Sequence, residues 1–169
     1  MSATAQTGYF FMPEHIILVG ASERPHSLGE RIFSHLLGSS YQGKITPVNL
    51  RHSSVAGIPS YSSLSKIPGQ ADLVVAVIPP DHYDSLFKAC RKKDLRHIIL
   101  IQDWENLPPE SCKNARSIIQ KYHGDELNIT VCNSAGIQLP SLNLNIGTQT
   151  DYPAGHIALL TGHSTVSRN

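Results

Sequence analysis

Five short apolar runs, each followed by a polar turn and most by an amphipathic stretch, set the pattern of this chain: Ile16 to Val19, Lys44 to Asn49 (KITPVN), Ala71 to Ile78 (ADLVVAVI), Arg96 to Ile101 (RHIILI) and Asn128 to Cys132 (NITVC). The run through Ala71 to Ile78 is continuous rather than alternating, as in parallel strands covered by helices on both faces. Between the runs lie helical patterns. Asp81 is expected to cap one with Leu86, Phe87 and Cys90 inward and Arg91-Lys92-Lys93 at its end, and Pro108-Pro109-Glu110 opens another through about Lys121. Strand and helix alternating in this way predict an α/β fold, a doubly wound parallel sheet with right-handed crossovers. Pro47 places the second strand at an edge, or marks its end.

The first unit, His15 to Leu37, carries the most information. Its strand stops at Gly20, a polar loop follows, and a helix begins after Ser27, which with Glu30 three residues later forms a capping-box pattern. Leu28, Ile32, Phe33, Leu36 and Leu37 are expected on one face, and Gly38 supplies the stop. The unpaired amides of such a helix start favour an anion by about 0.3–1 kcal/mol per charge when exposed. The loop departs from the dinucleotide pattern G-x-G-x-x-G: Gly20 is followed by Ala21 and Ser22, and the next glycine is Gly29. Taken alone, Gly-Ala-Ser fits a phosphate loop or a plain strand-to-helix turn.

Ligands of doubly wound sheets sit beyond the carboxyl ends of the strands, where strand order reverses. Those ends are Gly20-Ala21-Ser22, Asn49-Leu50-Arg51, Ile78-Pro79-Pro80, Gln102-Asp103 and Asn133-Ser134, and they are expected to form one crevice. The second of these lacks the acid that would hold the ribose hydroxyls of NAD. Arg51 suits a phosphorylated ribose instead, through a bidentate contact, or is a solvated loop cation. Tyr61 to Lys66 has room for a short helix only. Pro140 to Gly155 reads as loop, and His156 to Thr161 reads as a further strand that starts a new unit, so the chain is expected to be a fragment.

Composition adds mainly exclusions. A net charge of +1 with 16% charged residues offers no basic excess for nucleic acid. The nine histidines show no His-x-x-x-His spacing and the three cysteines no Cys-x-x-Cys, so no metal site is expected. Three scattered cysteines suit a reduced, cytoplasmic compartment. There is neither a signal-peptide pattern nor an apolar run long enough to span a membrane, so no membrane partner is expected. Residues 1–12 form a lead-in whose Tyr9, Phe10 and Phe11 are expected to pack on the domain.

Read together, FMPEHIILVGASERPHSLGERIF, GKITPVNLRHSSVAGIPSYSSL and ADLVVAVIPP resemble the N-terminal CoA-binding domain of NDP-forming (ADP-forming) acyl-CoA synthetases, a family that includes bacterial protein lysine acetyltransferases fused to a GNAT domain. CNSAGIQLP is similar to the family's Gly-Pro-Asn-Cys/Ser-Leu-Gly-x-x-x-Pro segment. GHIALLTGHSTVSRN resembles the opening of its second domain. The resemblance implies a Rossmann-like domain over residues 13–140, a linker over 141–155 and the truncated start of a succinyl-CoA-synthetase-like domain over 156–169. It implies coenzyme A or acetyl-CoA as ligand, with the remaining domains of a parent chain as partners. Gly20, Ala21, Ser22, Pro25, Ser27 and Gly29 would cradle the pyrophosphate, and Asn49 and Arg51 would lie near the phosphorylated ribose and adenine. Val77, Ile78 and Pro79 would flank adenine or pantetheine, with Asn133 and Ser134 lining the arm and Gln102 at the fourth strand end.

Two departures stand out. Gln102-Asp103-Trp104 replaces a small-residue loop usual in the family, and Val131-Cys132 replaces Gly-Pro. Both lean toward the acetyltransferase subgroup, whose synthetase region is thought to sense a ligand. No catalytic residue is expected in this chain, and the family's phosphohistidine lies beyond Asn169, so His163 reads as a loop histidine. Two other readings stay open: an NADP-binding oxidoreductase domain, since Arg51 also suits a 2′-phosphate, and an assembly domain that has kept the fold and lost the ligand.

Overall fold

The computed structural model describes residues 12–124 and 127–155. In chain order the elements are β1 (His15–Val19), α1 (Leu28–Gly38), β2 (Lys44–Val48), β3 (Ser54–Val55), β4 (Ile58–Pro59), β5 (Leu73–Ala76), α2 (Tyr83–Lys92), β6 (His97–Ile101), α3 (Pro109–Tyr122), β7 (Asn128–Cys132), β8 (Ile137–Leu139) and β9 (Leu144–Ile146). β1, β2, β5, β6 and β7 form one sheet in the order β2-β1-β5-β6-β7, parallel at every pairing. This is the expected doubly wound, Rossmann-like sheet.

Central strands buried on both faces explain the continuous apolar runs. Ile17, Val74, Ile98 and Leu100 face α2 and α3 and join Leu86, Phe87, Cys90, Ala115 and Tyr122 in one core. Ile16, Leu18, Leu73, Val75, Ile99 and Ile101 face the other way, onto Ile32, Phe33 and Leu36 of α1. That second core also contains Leu144 and Ile146. The loop reading of Pro140 to Gly155 is therefore corrected in part: β8 and β9 form an antiparallel hairpin, and β9 packs beside α1 where a further crossover helix would otherwise lie.

Two local expectations also change. Asp81 does not cap α2, because Pro80–His82 form a single 3₁₀ turn that leads into Tyr83, and His82 stands at the cap without a side-chain bond. Leu37 is 38% exposed, since it lies at the margin of the stripe centred on Gly29, Ile32, Phe33 and Leu36. Residues 1–11, with Tyr9, Phe10 and Phe11, and the strand expected at His156 to Thr161 lie outside the described residues.

The two margins of the sheet differ. β2 is an edge, as Pro47 implied, and it is covered: Tyr61 pairs with Val48, and the Pro47 carbonyl accepts from the Tyr61 amide at 3.1 Å and from Ser60 Oγ at 3.2 Å. β7 is the other edge, with Asn128 and Val131 exposed.

Candidate functional site

Strand order reverses between β1 and β5, so the chain leaves Gly20 and Val77 side by side at one end of the sheet. Gly20 takes φ +93°, and a Cβ there would lie 2.3 Å from the Val77 carbonyl oxygen. A side chain at Gly29 would lie 2.1 Å from the Gly20 carbonyl oxygen. Gly29 thus lets the first turn of α1 rest on the end of β1, which is the packing role of the third glycine in the dinucleotide pattern. The loop is longer than that pattern, and the contact is retained.

Within the loop, Ala21 is buried, Ser22 Oγ accepts from the Arg24 amide at 3.0 Å, and the Ser27 amide returns to the Arg24 carbonyl at 3.1 Å. Pro25 and His26 occupy the corner of that turn, with His26 at φ +62°, a conformation that disfavours a side chain. Ser27 Oγ accepts from the Glu30 amide at 3.2 Å, so one half of the capping box forms. The other half does not, because the Ser27 amide it would use donates to the Arg24 carbonyl, while Glu30 Oε1 accepts from Ser34 Oγ at 3.2 Å. Among the described residues the amides of Leu28 and Gly29 have no hydrogen-bond partner and stand at the positive end of α1.

Asn49 is tied into the frame. Its Nδ2 donates to the Ala21 carbonyl at 2.8 Å, and its Oδ1 accepts from the amides of Arg51 at 2.8 Å and His52 at 3.1 Å. The Asn49 side chain is therefore a brace that binds the loop after β1 to the loop after β2. Arg51 and His52 are exposed, with no side-chain partner among the described residues.

Farther along, Val77 and Ile78 are half-buried and Pro79 is exposed. The Cys132 carbonyl accepts from the Gln102 amide at 3.2 Å and from Trp104 Nε1 at 2.9 Å, which fixes the indole across the ends of β6 and β7. Burial pushes the Cys132 thiol up to about 11, so it stays protonated at neutral pH. Asn133 Oδ1 accepts from the Ala135 amide at 3.0 Å, and the Ser134 carbonyl accepts from both the amide and the hydroxyl of Thr148, at 3.1 and 2.8 Å.

Apart from Gly29, in the first turn of α1, the expected positions thus belong to loops at the carboxyl ends of the strands. Three contributors escaped the sequence reading. Gly147 and Thr148 directly follow β9, in the stretch read as a linker, and Glu23 Oε1 accepts from the Ala56 amide at 2.5 Å, joining the loop after β1 to the β3–β4 turn. No local pattern announces any of them. A separate recess, lined by Cys90, Arg91, Lys92, Asp94, Leu95, Arg96 and Leu127, opens at the opposite end of β6 and β7.

A parallel sheet in this order, with a glycine bend and a free helix start at its switch point, defines a Rossmann-like nucleotide-binding domain. The chain belongs to the CoA binding domain family, whose model matches residues 14–139. It is 30% identical over 155 residues to the α subunit of acetate–CoA ligase (ADP-forming) II from Pyrococcus furiosus, covering 90% of this chain and 34% of that one. The α subunit of isoform I from the same organism is 26% identical over 157 residues, covering 89% and 34%. The crystal structure of PH0766 from Pyrococcus horikoshii superposes with a TM-score of 0.69 at 27% identity, covering 87% of this chain and 34% of that one. The chain spans about a third of the length of these relatives. Among the described residues no helix is long and apolar enough to cross a membrane.

Proposed function

We propose that the crevice at the carboxyl ends of the strands is the coenzyme A site of this family member. The pyrophosphate lies against Gly20, Ala21, Ser22, Pro25, Ser27 and Gly29. The phosphorylated ribose and adenine lie near Asn49 and Arg51, the nucleotide or pantetheine passes Val77, Ile78 and Pro79, and the arm runs toward Gln102, Asn133 and Ser134. The observation that carries this reading is the seating of Gly29 on the Gly20 carbonyl, which leaves the Leu28 and Gly29 amides unpaired at the switch point.

Arg51 adds the phosphate preference, because a loop without a carboxylate at this position attracts a phosphate monoester. Isothermal titration tests it. Coenzyme A should bind more tightly than dephospho-CoA, with Arg51→Ala narrowing the gap. Equal affinities in the wild type would remove the assignment of the 3′-phosphate to Arg51. NADPH serves as the competing ligand, and binding of NADPH without coenzyme A would favour an oxidoreductase domain.

We place the domain in a larger ADP-forming acyl-CoA ligase-like protein of the cytoplasm, a reading supported by its relatives and by free Cys90, Cys112 and Cys132. Residues 13–140 are taken as the ligand-binding unit and 156–169 as the start of the next. Trp104, hydrogen-bonded across the ends of β6 and β7, supports a ligand-sensing region of a protein lysine acetyltransferase over an active synthetase site. Acetyl-CoA and coenzyme A are to be compared in the same titration.

A further inference from the structure

An acid inside a loop that receives phosphates works against its ligand unless it is engaged elsewhere. Glu23 lies between Ser22 and Arg24 in that loop. Its carboxylate is turned away to the β3–β4 turn, where Oε1 accepts the Ala56 N–H at 2.5 Å. Ala56 and Gly57 form that two-residue turn, both at positive φ, +48° and +76°. Such a turn fits the twist of a tight hairpin but costs Ala56 some strain.

The same loop is held at a second point, where Asn49 Nδ2 donates to the Ala21 carbonyl. Arg51 and His52 lie on the stretch between Asn49 and Ala56, and their amides are drawn onto Asn49 Oδ1. The stretch that carries Arg51 and His52 is therefore stapled to the phosphate loop at both ends. One staple is a side chain reaching back from residue 49, and the other is a side chain reaching out from residue 23.

We propose that Glu23 is a positioning residue for phosphate discrimination: through Ala56 it holds the Arg51–His52 stretch at a fixed distance from the loop, so that one ligand engages the helix start and Arg51 together. This rests on the coenzyme A reading above. It also fixes the sign of an experiment. If Glu23 acted only by its charge, removing it would tighten binding of a multiply phosphorylated ligand. As a staple, its removal loosens the cation and weakens binding of the ligand that carries the extra phosphate.

Calorimetric titrations of wild type, Glu23→Ala and Glu23→Gln with coenzyme A and dephospho-CoA separate these cases. Glu23→Ala should reduce the preference for coenzyme A by about threefold to tenfold, mainly through weaker coenzyme A binding, with dephospho-CoA little changed. Glu23→Gln keeps an acceptor oxygen for the Ala56 amide and should restore the wild-type ratio within about twofold. Hydrogen exchange at the Ala56 amide should accelerate in Glu23→Ala and not in Glu23→Gln. An unchanged ratio in Glu23→Ala, tighter coenzyme A binding, or a Glu23→Gln ratio matching Glu23→Ala would each overturn the proposal. Failure of wild type to bind coenzyme A would instead remove the underlying site assignment, and the staple with it.

Discussion

The crevice has two walls built on the same device, and they end up chemically opposite. At one wall Gly29 rests on the Gly20 carbonyl. At the other, Gly136 and Gly147 interlock, where a Cβ on Gly136 would lie 1.8 Å from the Ile146 carbonyl oxygen and one on Gly147 1.9 Å from that of Ala135. In both places glycine permits a backbone approach that no side chain allows. Among the described residues the first wall leaves the Leu28 and Gly29 amides unpaired, while in the second the Ser134 carbonyl is taken by Thr148 and Asn133 Oδ1 by the Ala135 amide. Close approach alone does not make a binding site. What differs is whether a helix start is left over.

The largest effects should come from filling either gap. Gly136→Ala combines the clash with φ +67° and should cost about 3 kcal/mol or more in urea denaturation, with coenzyme A affinity of the folded fraction largely kept. Gly29→Ala should cost about 2–3 kcal/mol and also abolish measurable coenzyme A binding, because the helix start is pushed off the strand end. If Gly136→Ala proves the more damaging to affinity, the division between an open and a closed wall fails. Arg51→Ala comes next: about tenfold weaker coenzyme A binding in calorimetry, with an unchanged denaturation midpoint. Ser27→Ala removes the cap bond to Glu30 and should cost about 1 kcal/mol of stability, read by the same denaturation.

The smallest effect is a control remote from both walls. Asp84 on α2 pairs with Lys88 at 2.6 Å and accepts from Tyr122 and Lys121 of α3, and these contacts, Lys88 foremost, hold its carboxyl down at about 2. A carboxyl lower in the folded state than its ordinary 3.8 stabilises the fold above about pH 4, and that contribution fades as the pH falls toward 2. Asp84→Asn should flatten this part of an acid titration followed by circular dichroism. Coenzyme A affinity at neutral pH should not change.

The first wall was legible because it is local: strand, glycine, capped helix and Gly29 all fall within one unit of sequence, and the buried strands announced themselves as continuous apolar runs. The second wall was not, although a signal was there. Leu142, Leu144 and Ile146 alternate with Asn143 and Asn145, the period of a strand, but Pro140 and the asparagines and glycines around them read as loop. Asn145 also breaks the simple alternation by being buried, with Nδ2 donating to the Gln149 carbonyl and to Asp151 Oδ1. The braces from Glu23 and Asn49 join residues 33 and 28 positions away, and no periodicity encodes a contact at such a separation.

The unequal margins of the sheet give the molecule a direction of growth. At β2 a proline has no N–H to offer, and its carbonyl already accepts from Tyr61 and Ser60, so that rim is sealed. Along β7, beside exposed Asn128 and Val131, the outward amide of Ile129 donates to His123 Nδ1 at 3.2 Å. A strand that extends this sheet along β7 has to displace the His123 ring from the Ile129 amide, and it would then lie next to the wall that carries Cys132, Asn133 and Ser134.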